Sequence, residues 1–283
     1  MRDTLASIAI QFEKLLGVPT PPAHVLCYHS VSKADSLVNV TPTQFKSHIR
    51  YILRNFEVVT LGDVVDYIDE KRMISKPIVA LTFDDGYRNL LSIAPYLHAQ
   101  GIIPTIFVTS RPDEINRAEL DNRHTIMSMN DVKLLHDTYG WEIGCHTATH
   151  PNLLELEDHE LQMEVVESKK ELEDKLNVNV RYFAYPKGYF NAHVAQMCQF
   201  AKYHGAFSTN RALISMRTPR YRIHRLGIDR TTSGRIFPFM FTYSALVYFG
   251  TKQFVEHVIK QARDSAQIIE RLAHYIFVRG ART

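Results

Sequence analysis

The chain has 283 residues, 45% of them hydrophobic and 22% charged, which is the ordinary composition of a globular protein. The formal net charge is only +3, and no run of Lys and Arg is interleaved with aromatic residues, so we expect no nucleic-acid partner. The three cysteines, Cys27, Cys145 and Cys198, lack the even number and the C-x-x-C spacing of a disulfide framework or zinc ribbon.

The first 21 residues predict an amphipathic helix rather than a signal peptide. They lack a basic flank followed by a continuous apolar core, and Leu5, Ile8, Phe12 and Leu15 recur at helical spacing. Together with the unpaired cysteines, this predicts a cytoplasmic protein, with the inner face of the membrane as an alternative location.

Residues 22–235 alternate short apolar runs with amphipathic stretches and are expected to form one domain. The apolar runs predict strands at 24–28, 56–60, 77–83, 103–109, 141–145, 180–185 and 205–209. The run of residues 41–44, Thr-Pro-Thr-Gln, has the pattern of a capping box and predicts the start of a helix. This alternation is typical of a parallel α/β sheet with right-handed crossovers, either open and doubly wound or closed into a barrel.

Two polar clusters follow predicted strands, at the edge where parallel α/β sheets place their sites. Asp84 and Asp85 follow the buried run 77–83, and such carboxylates are costly there unless a cation or hydrogen bonds compensate; an Asp-Gly turn is the alternative. His146 and His150 follow the run 141–145, and their spacing places them on one face of a helical turn. One carboxylate with two imidazoles is a three-ligand catalytic metal site, and the second carboxylate is then free to act as a general base.

The sequence resembles the polysaccharide deacetylase family, the NodB homology domain or carbohydrate esterase family 4. TFDDG at 82–86 and HTATHP at 146–151 match its first two motifs, and RYFAYPKG at 181–188 approximates the third. The resemblance covers roughly residues 22–230, and the opening LCYHSVS and the segment 41–61 resemble the branch containing poly-N-acetylglucosamine deacetylases.

The resemblance implies a distorted (β/α)7 barrel of the NodB type that binds a divalent metal, most commonly Zn²⁺, with Co²⁺, Ni²⁺ or Mn²⁺ as alternatives. It assigns Asp84 as the general base. It assigns Asp85, His146 and His150 as the metal ligands.

The third motif and the first strand supply candidate substrate-binding residues. The resemblance places Tyr185, Pro186 and Lys187 at the oxyanion, which the backbone N–H of Lys187 would help to hold. His29, at the end of the first strand, is expected to line the site or, alternatively, to cap the strand.

Two features depart from the family pattern. Ala184 stands where many members have an arginine that pairs with the base, and we expect Arg225 to supply this guanidinium from a neighbouring strand; a surface ion pair is the alternative. The usual L-x-H motif, which carries the general acid, has no clear match. His224, in a predicted late strand over 221–226, is the candidate acid, and an outward-facing strand histidine is the alternative.

Residues 236–283 form a hydrophobic and helical C-terminal extension by prediction. The apolar stretch 236–250 is shorter than the ~20 residues of a membrane span. It is expected to close the barrel or form a homo-oligomer contact, or else to make a peripheral contact with a membrane.

These patterns predict a metal-dependent hydrolase that removes N-acetyl groups from an amino sugar, polymeric or lipid-linked. An amidase acting on a non-sugar amide with the same metal site is one alternative. A barrel that has lost catalysis and binds glycans is another, since the family arginine is missing.

Overall fold

The computed structural model describes residues 2–116 and 120–248. Eight parallel strands form its main sheet, in the order β10, β1, β5, β6, β7, β8 and β9, and β4 also pairs with β5. These strands are β1 (Ala23–Tyr28), β4 (Glu57–Val58), β5 (Ile78–Phe83), β6 (Thr105–Val108), β7 (Glu142–Cys145), β8 (Tyr182–Ala184), β9 (Gly205–Phe207) and β10 (Leu226–Gly227). Two further strands, β2 (Ser30–Val31) and β3 (Asn39–Val40), pair with each other.

The α-helices are α1 (Arg2–Leu15), α2 (Pro42–Asn55), α3 (Leu61–Ile68), α4 (Ala94–Ala99), α5 (Met129–Tyr139), α6 (Asp158–Gln162), α7 (Ser168–Leu176), α8 (Ala192–Phe200) and α9 (Ile236–Phe239). A π-turn over Met163–Glu167 joins α6 to α7. Short 3-10 turns lie at Arg88–Ser92, Pro112–Glu114, Leu153–Glu155 and Pro186–Gly188. Within the described ranges, no helix is long and apolar enough to cross a membrane.

One short segment joins the two ends of the sheet. Phe207 of β9 forms a parallel bridge with Ile223, and three residues later the same segment enters β10, which pairs with β1. The sheet is therefore a curled NodB-type barrel, as the resemblance implied, and not an open doubly wound sheet. The predicted late strand over 221–226 is wrong in extent, because regular strand pairing begins only at Leu226.

Local sequence signals account for the helix ends. Thr41 accepts a hydrogen bond from the backbone N–H of Gln44, whose side chain returns to Thr41, so the predicted capping box is confirmed. Ser128 and Asp131 make the same reciprocal contact at the start of α5. That helix ends at Gly140, whose φ of 73° is the left-handed conformation that glycine adopts without a steric cost.

The N-terminal helix packs against the chain that follows the barrel. The Glu13 carboxylate of α1 accepts hydrogen bonds from the backbone N–H groups of Tyr243 and Ser244. Within the apolar stretch, Ile236, Phe237, Phe239, Met240, Phe241 and Ala245 are buried, so this part covers the barrel core. The remainder of the predicted extension, residues 249–283, lies outside the described residues.

Candidate active site

The carboxyl ends of four strands of the main sheet carry the predicted site residues. His29 follows β1, the two aspartates follow β5, His146 follows β7 and Tyr185 follows β8. Because these strands are parallel, all four ends meet at the same edge of the barrel. The site is therefore assembled from motifs that lie far apart in the sequence, from His29 to Tyr185.

Asp85, His146 and His150 converge on one point. Asp85 Oδ1 lies 3.6 Å from His146 Nε2 and 3.5 Å from His150 Nε2, and the three ligand atoms lie within 4.8 Å of one another. These separations are too long for good hydrogen bonds. They match the edges of a tetrahedron around a Zn²⁺ ion, about 3.3–3.5 Å for metal–ligand bonds of about 2.0–2.1 Å. All three side chains are buried, and this donor set fits a divalent metal.

Hydrogen bonding orients His146 toward the metal position. Its Nδ1 lies 2.8 Å from the backbone carbonyl oxygen of Ala184, so Nδ1 donates and Nε2 keeps its lone pair. The outer nitrogen of His150, Nδ1, is buried and has no hydrogen-bond partner within the described chain. Burial and the neighbouring His146 lower the pKa of His150 to about 4, so this imidazole is neutral near pH 7 and available as a ligand.

The loop between the two histidines is not the helical turn that their spacing predicted. Thr147 has a φ of 73° and His150 a φ of 64°, both in the left-handed region that residues other than glycine seldom adopt. The Thr147 hydroxyl accepts the backbone N–H of His150 at 2.8 Å. A tight left-handed turn, rather than one face of a helix, brings the two imidazoles together.

Asp84 pairs with Arg225. The two side chains form a bidentate pair, with both N···O distances at 2.7 Å, and both are almost completely buried. The Cys27 thiol donates a hydrogen bond of 3.2 Å to Asp84 Oδ2. Burial alone would raise the pKa of Asp84, but the charge of Arg225, with His146 and His29 adding smaller contributions, holds it well below its usual range.

His29 and His224 differ in their surroundings. His29 is half-buried, and one of its ring nitrogens lies within 4.8 Å of the Asp84 carboxylate and the Cys27 thiol. His224 belongs to neither of the three-ligand groups found among the described residues, and its Nδ1 has no hydrogen-bond partner there. The structure therefore brings His29 close to Asp84, as expected of a residue that lines the site, and it does not place His224 in either group.

Comparison with known proteins matches the chain to one family. The family model for polysaccharide deacetylase matches residues 71–206, a range that contains both aspartates and both converging histidines. The putative polysaccharide deacetylase YxkH of Bacillus subtilis (strain 168) is 25% identical over 215 residues, which cover 75% of this chain and 74% of that protein. The chain is similar to the polysaccharide deacetylase family, as the motifs implied.

Solved structures share the fold of this protein at low sequence identity. The deacetylase PplD of Streptococcus pyogenes, solved in complex with acetate, superposes with a TM-score of 0.67 at 20% identity and covers 79% of this chain and 100% of that chain. IcaB from Ammonifex degensii gives a TM-score of 0.68 at 18% identity and covers 78% of this chain and 98% of that chain. These likenesses establish the deacetylase barrel.

The third motif forms a loop close to the two histidines. Tyr185 is buried, and its hydroxyl donates to the backbone carbonyl of Tyr221 at 2.9 Å, so its side chain is held away from solvent. Pro186 is also buried. Lys187 has a φ of 56°, and its charge adds a small contribution to the lowering of the pKa of His150 by burial and His146.

Two features of the site were missed by sequence reasoning. Cys27 was considered only for its spacing, yet its thiol contacts Asp84, and its place in β1, two residues before His29, was the available signal. Glu164 was not considered, but it is buried and accepts hydrogen bonds from the backbone of the histidine loop. No local pattern distinguishes it from the other acidic residues nearby.

Proposed function

We propose that this protein is a metal-dependent N-deacetylase acting on amino sugars. The observation that carries this proposal is the juxtaposition of the Asp85, His146 and His150 cluster with a neighbouring aspartate that has its own cation, Arg225. One carboxylate is thereby available for a metal, and the other is kept ionised beside it. The Nε2 atoms of both imidazoles face Asp85 Oδ1 at 3.5–3.6 Å, which is longer than a good hydrogen bond and suits a cation held between them.

A divalent cation held by Asp85, His146 and His150 would polarise the amide carbonyl and lower the pKa of a coordinated water. Three protein ligands leave at least one coordination position for water or substrate, the pattern of catalytic rather than structural zinc sites. The metal identity follows the same logic: imidazole and carboxylate ligands suit Zn²⁺, Co²⁺ and Ni²⁺, with Mn²⁺ as a harder alternative.

Asp84 is the proposed general base. It takes a proton from the attacking water as the oxygen bonds to the carbonyl carbon. Arg225 occupies one lone pair on each carboxylate oxygen, and Cys27 adds a contact to Oδ2, which leaves Oδ1 the less crowded oxygen. The guanidinium keeps Asp84 ionised and fixes its direction, at the expense of basicity.

The departing amine requires a proton, and His29 is better placed to give it than His224. Its imidazole lies near Asp84 and is partly exposed, so it can reach both the substrate and bulk solvent. The assignment of His224 as the general acid stays a prediction, and no contact supports it. Lys187 is proposed to direct its backbone N–H at the developing oxyanion, since its left-handed φ turns that loop toward the metal ligands.

The substrate class is tested by measuring acetate release from N-acetylhexosamine oligomers, from a lipid-phosphate-linked N-acetylhexosamine, and from small non-sugar amides. The proposal predicts turnover of an N-acetylated sugar and none of the small amides. Turnover of the small amides alone would establish the alternative amidase. Saturable oligosaccharide binding with metal bound and no acetate release would establish a barrel that binds glycans without catalysis.

We further propose that the outer face of α1 contacts a membrane surface. Leu5, Ile8, Phe12 and Leu15 are each more than half exposed and lie on one face, and Val247 is 67% exposed nearby in the chain that packs on α1. A bilayer interface accepts such a face without a fixed partner. Sedimentation with anionic liposomes that fails to pull down the protein, together with dimers in light scattering, would assign this face to a homo-oligomer instead.

A further inference from the structure

The long helix behind the histidine loop contains one π-turn. Between α6 and α7, the backbone N–H of Ser168 donates to the carbonyl of Met163, five residues earlier. A π-turn has poorer hydrogen-bond geometry than an α-helix, and such turns occur frequently at functional sites. Here the Tyr203 hydroxyl donates to the Val165 carbonyl at 2.9 Å, and the Ser168 hydroxyl donates to the Glu164 carbonyl at 2.6 Å.

The Glu164 side chain in this turn binds the loop that carries both metal ligands. Its Oε2 accepts the backbone N–H groups of Ala148 and Thr149 at 2.8 and 2.9 Å, and its Oε1 accepts the Thr149 hydroxyl at 2.7 Å. The residue is only 9% exposed. Hydrogen bonds to an ionised acceptor are about twice as strong as neutral ones, so three of them in a buried site constrain the loop firmly.

The same turn is also tied to the strand before the loop. The Ser168 hydroxyl lies 3.2 Å from the Cys145 thiol, and Cys145 is the last residue of β7, directly before His146. On the opposite side, the backbone N–H groups of Ser110 and Arg111 donate to the carbonyls of Thr147 and Ala148 at 3.1 and 3.0 Å. Glu164 thus holds the loop from the helix side, and the backbone of Ser110 and Arg111 holds it from the segment after β6.

We propose that Glu164 is a positioning residue for the metal ligands. It holds the left-handed turn of residues 147–150 in the conformation that brings the His150 imidazole to within 3.5 Å of Asp85 Oδ1. Without it, the strained φ values of Thr147 and His150 would relax and the ligand atoms would separate. The inference rests on the proposed metal site but not on the choice of substrate.

The test compares Glu164→Ala, Glu164→Gln and the control Glu167→Gln, which changes a carboxylate in the same turn that makes no hydrogen bond to the loop. Competition with a chelator measures zinc affinity, and the visible absorption spectrum of the cobalt-loaded protein reports ligand geometry. We expect Glu164→Ala to lose about 10- to 100-fold in metal affinity and to shift the cobalt bands. Glu164→Gln, which keeps one acceptor oxygen, should recover part of both, and Glu167→Gln should match the wild type.

A purely structural role would lower the melting temperature of Glu164→Ala while leaving metal affinity and cobalt bands at wild-type values, and this result would overturn the proposal. Neither readout requires turnover. If the wild-type protein binds metal but releases no acetate from any sugar, the proposed activity fails while the positioning role is still decided by the metal measurements.

Discussion

Arg225 forms a bidentate ion pair with Asp84, with two N···O distances of 2.7 Å, and both side chains are almost fully excluded from solvent. The guanidinium also lies over the Phe107 ring and donates to the Thr82 hydroxyl. An arginine directly before β10, which is separated from β5 only by β1, thus supplies a cation for the aspartate that follows β5. The buried pair fixes the protonation state of Asp84 and the direction of its free lone pairs.

We expect Arg225→Lys to lower kcat by about 100-fold or more with a small change in KM, because a lysine cannot make the bidentate contact that orients Asp84. Steady-state kinetics on an N-acetylated sugar measure this, with Arg222→Lys as the control at an exposed arginine nearby. Arg225→Met should instead lose about 3–5 kcal/mol in the free energy of unfolding, because it leaves a buried carboxylate unpaired. A kcat for Arg225→Lys equal to the wild type would contradict the orienting role.

Substitution of the two candidate acids separates them. His29→Ala should lower kcat by about 100- to 10,000-fold on an unactivated acetamide, the usual contribution of a general acid. The loss should shrink on an activated aryl acetate, because its phenolate leaving group departs without a proton. His224→Ala should stay within a few-fold of the wild type, because no contact joins it to the aspartates; the opposite pattern would restore His224 as the acid.

Gly188 is the last residue of the third motif, residues 181–188, whose loop is proposed to hold the oxyanion. It packs against Thr209 and has a φ of 76°. A Cβ added there would lie 2.6 Å from the Thr209 backbone nitrogen, so Gly188→Ala must displace the loop. We expect a fall in kcat of at least about 10-fold with metal content unchanged, since the loop carries no metal ligand. Gly234→Ala, where nothing lies within 4 Å, is the matched control. An unchanged kcat in Gly188→Ala would contradict the proposed role of this loop in holding the oxyanion.

Stability should depend on pH through a histidine far from the metal ligands. Burial lowers the pKa of His24 to about 4, despite a hydrogen bond with the backbone of Pro21, from 6.5 in the unfolded chain. The folded protein therefore binds this proton more weakly, so the stabilising contribution is complete above pH 6.5 and is lost as the pH falls toward 4. The full loss is about 3 kcal/mol.

Urea unfolding at several pH values measures this effect. Between pH 6.5 and 4, the free energy of unfolding of His24→Asn should fall less steeply than that of the wild type, although the variant starts less stable. Parallel curves for the two proteins over this range would show that His24 does not titrate on unfolding.

The parts of the fold that the sequence predicts are those with strong local signals. The run 77–83 became β5, and the capping box at Thr41 starts α2 as expected. Ser128 and Gly140 bound α5 for the same reason. The closure of the sheet into a barrel could be predicted only from the family resemblance, because apolar periodicity does not distinguish an open sheet from a closed one.

In the site, proximity follows from topology but direction does not. Strand order explains why the aspartates lie near His146, yet it does not tell which aspartate meets the histidines and which meets Arg225. The His146 and His150 spacing suggested a helix, whereas tertiary contacts from Glu164 and the β6 side stabilise a left-handed turn. Arg225 could be proposed because Ala184 replaces the arginine of many family members, but only tertiary packing determines that its partner is Asp84.

Acetate release by the wild-type protein and by Asp84→Asn, each assayed with its metal content measured and with chelator added, tests the proposed mechanism most directly. We predict one divalent metal per chain in both proteins, with turnover only in the wild type, lost with chelator and restored by Zn²⁺ or Co²⁺. Turnover by the metal-free wild type, or full activity of Asp84→Asn, would contradict it.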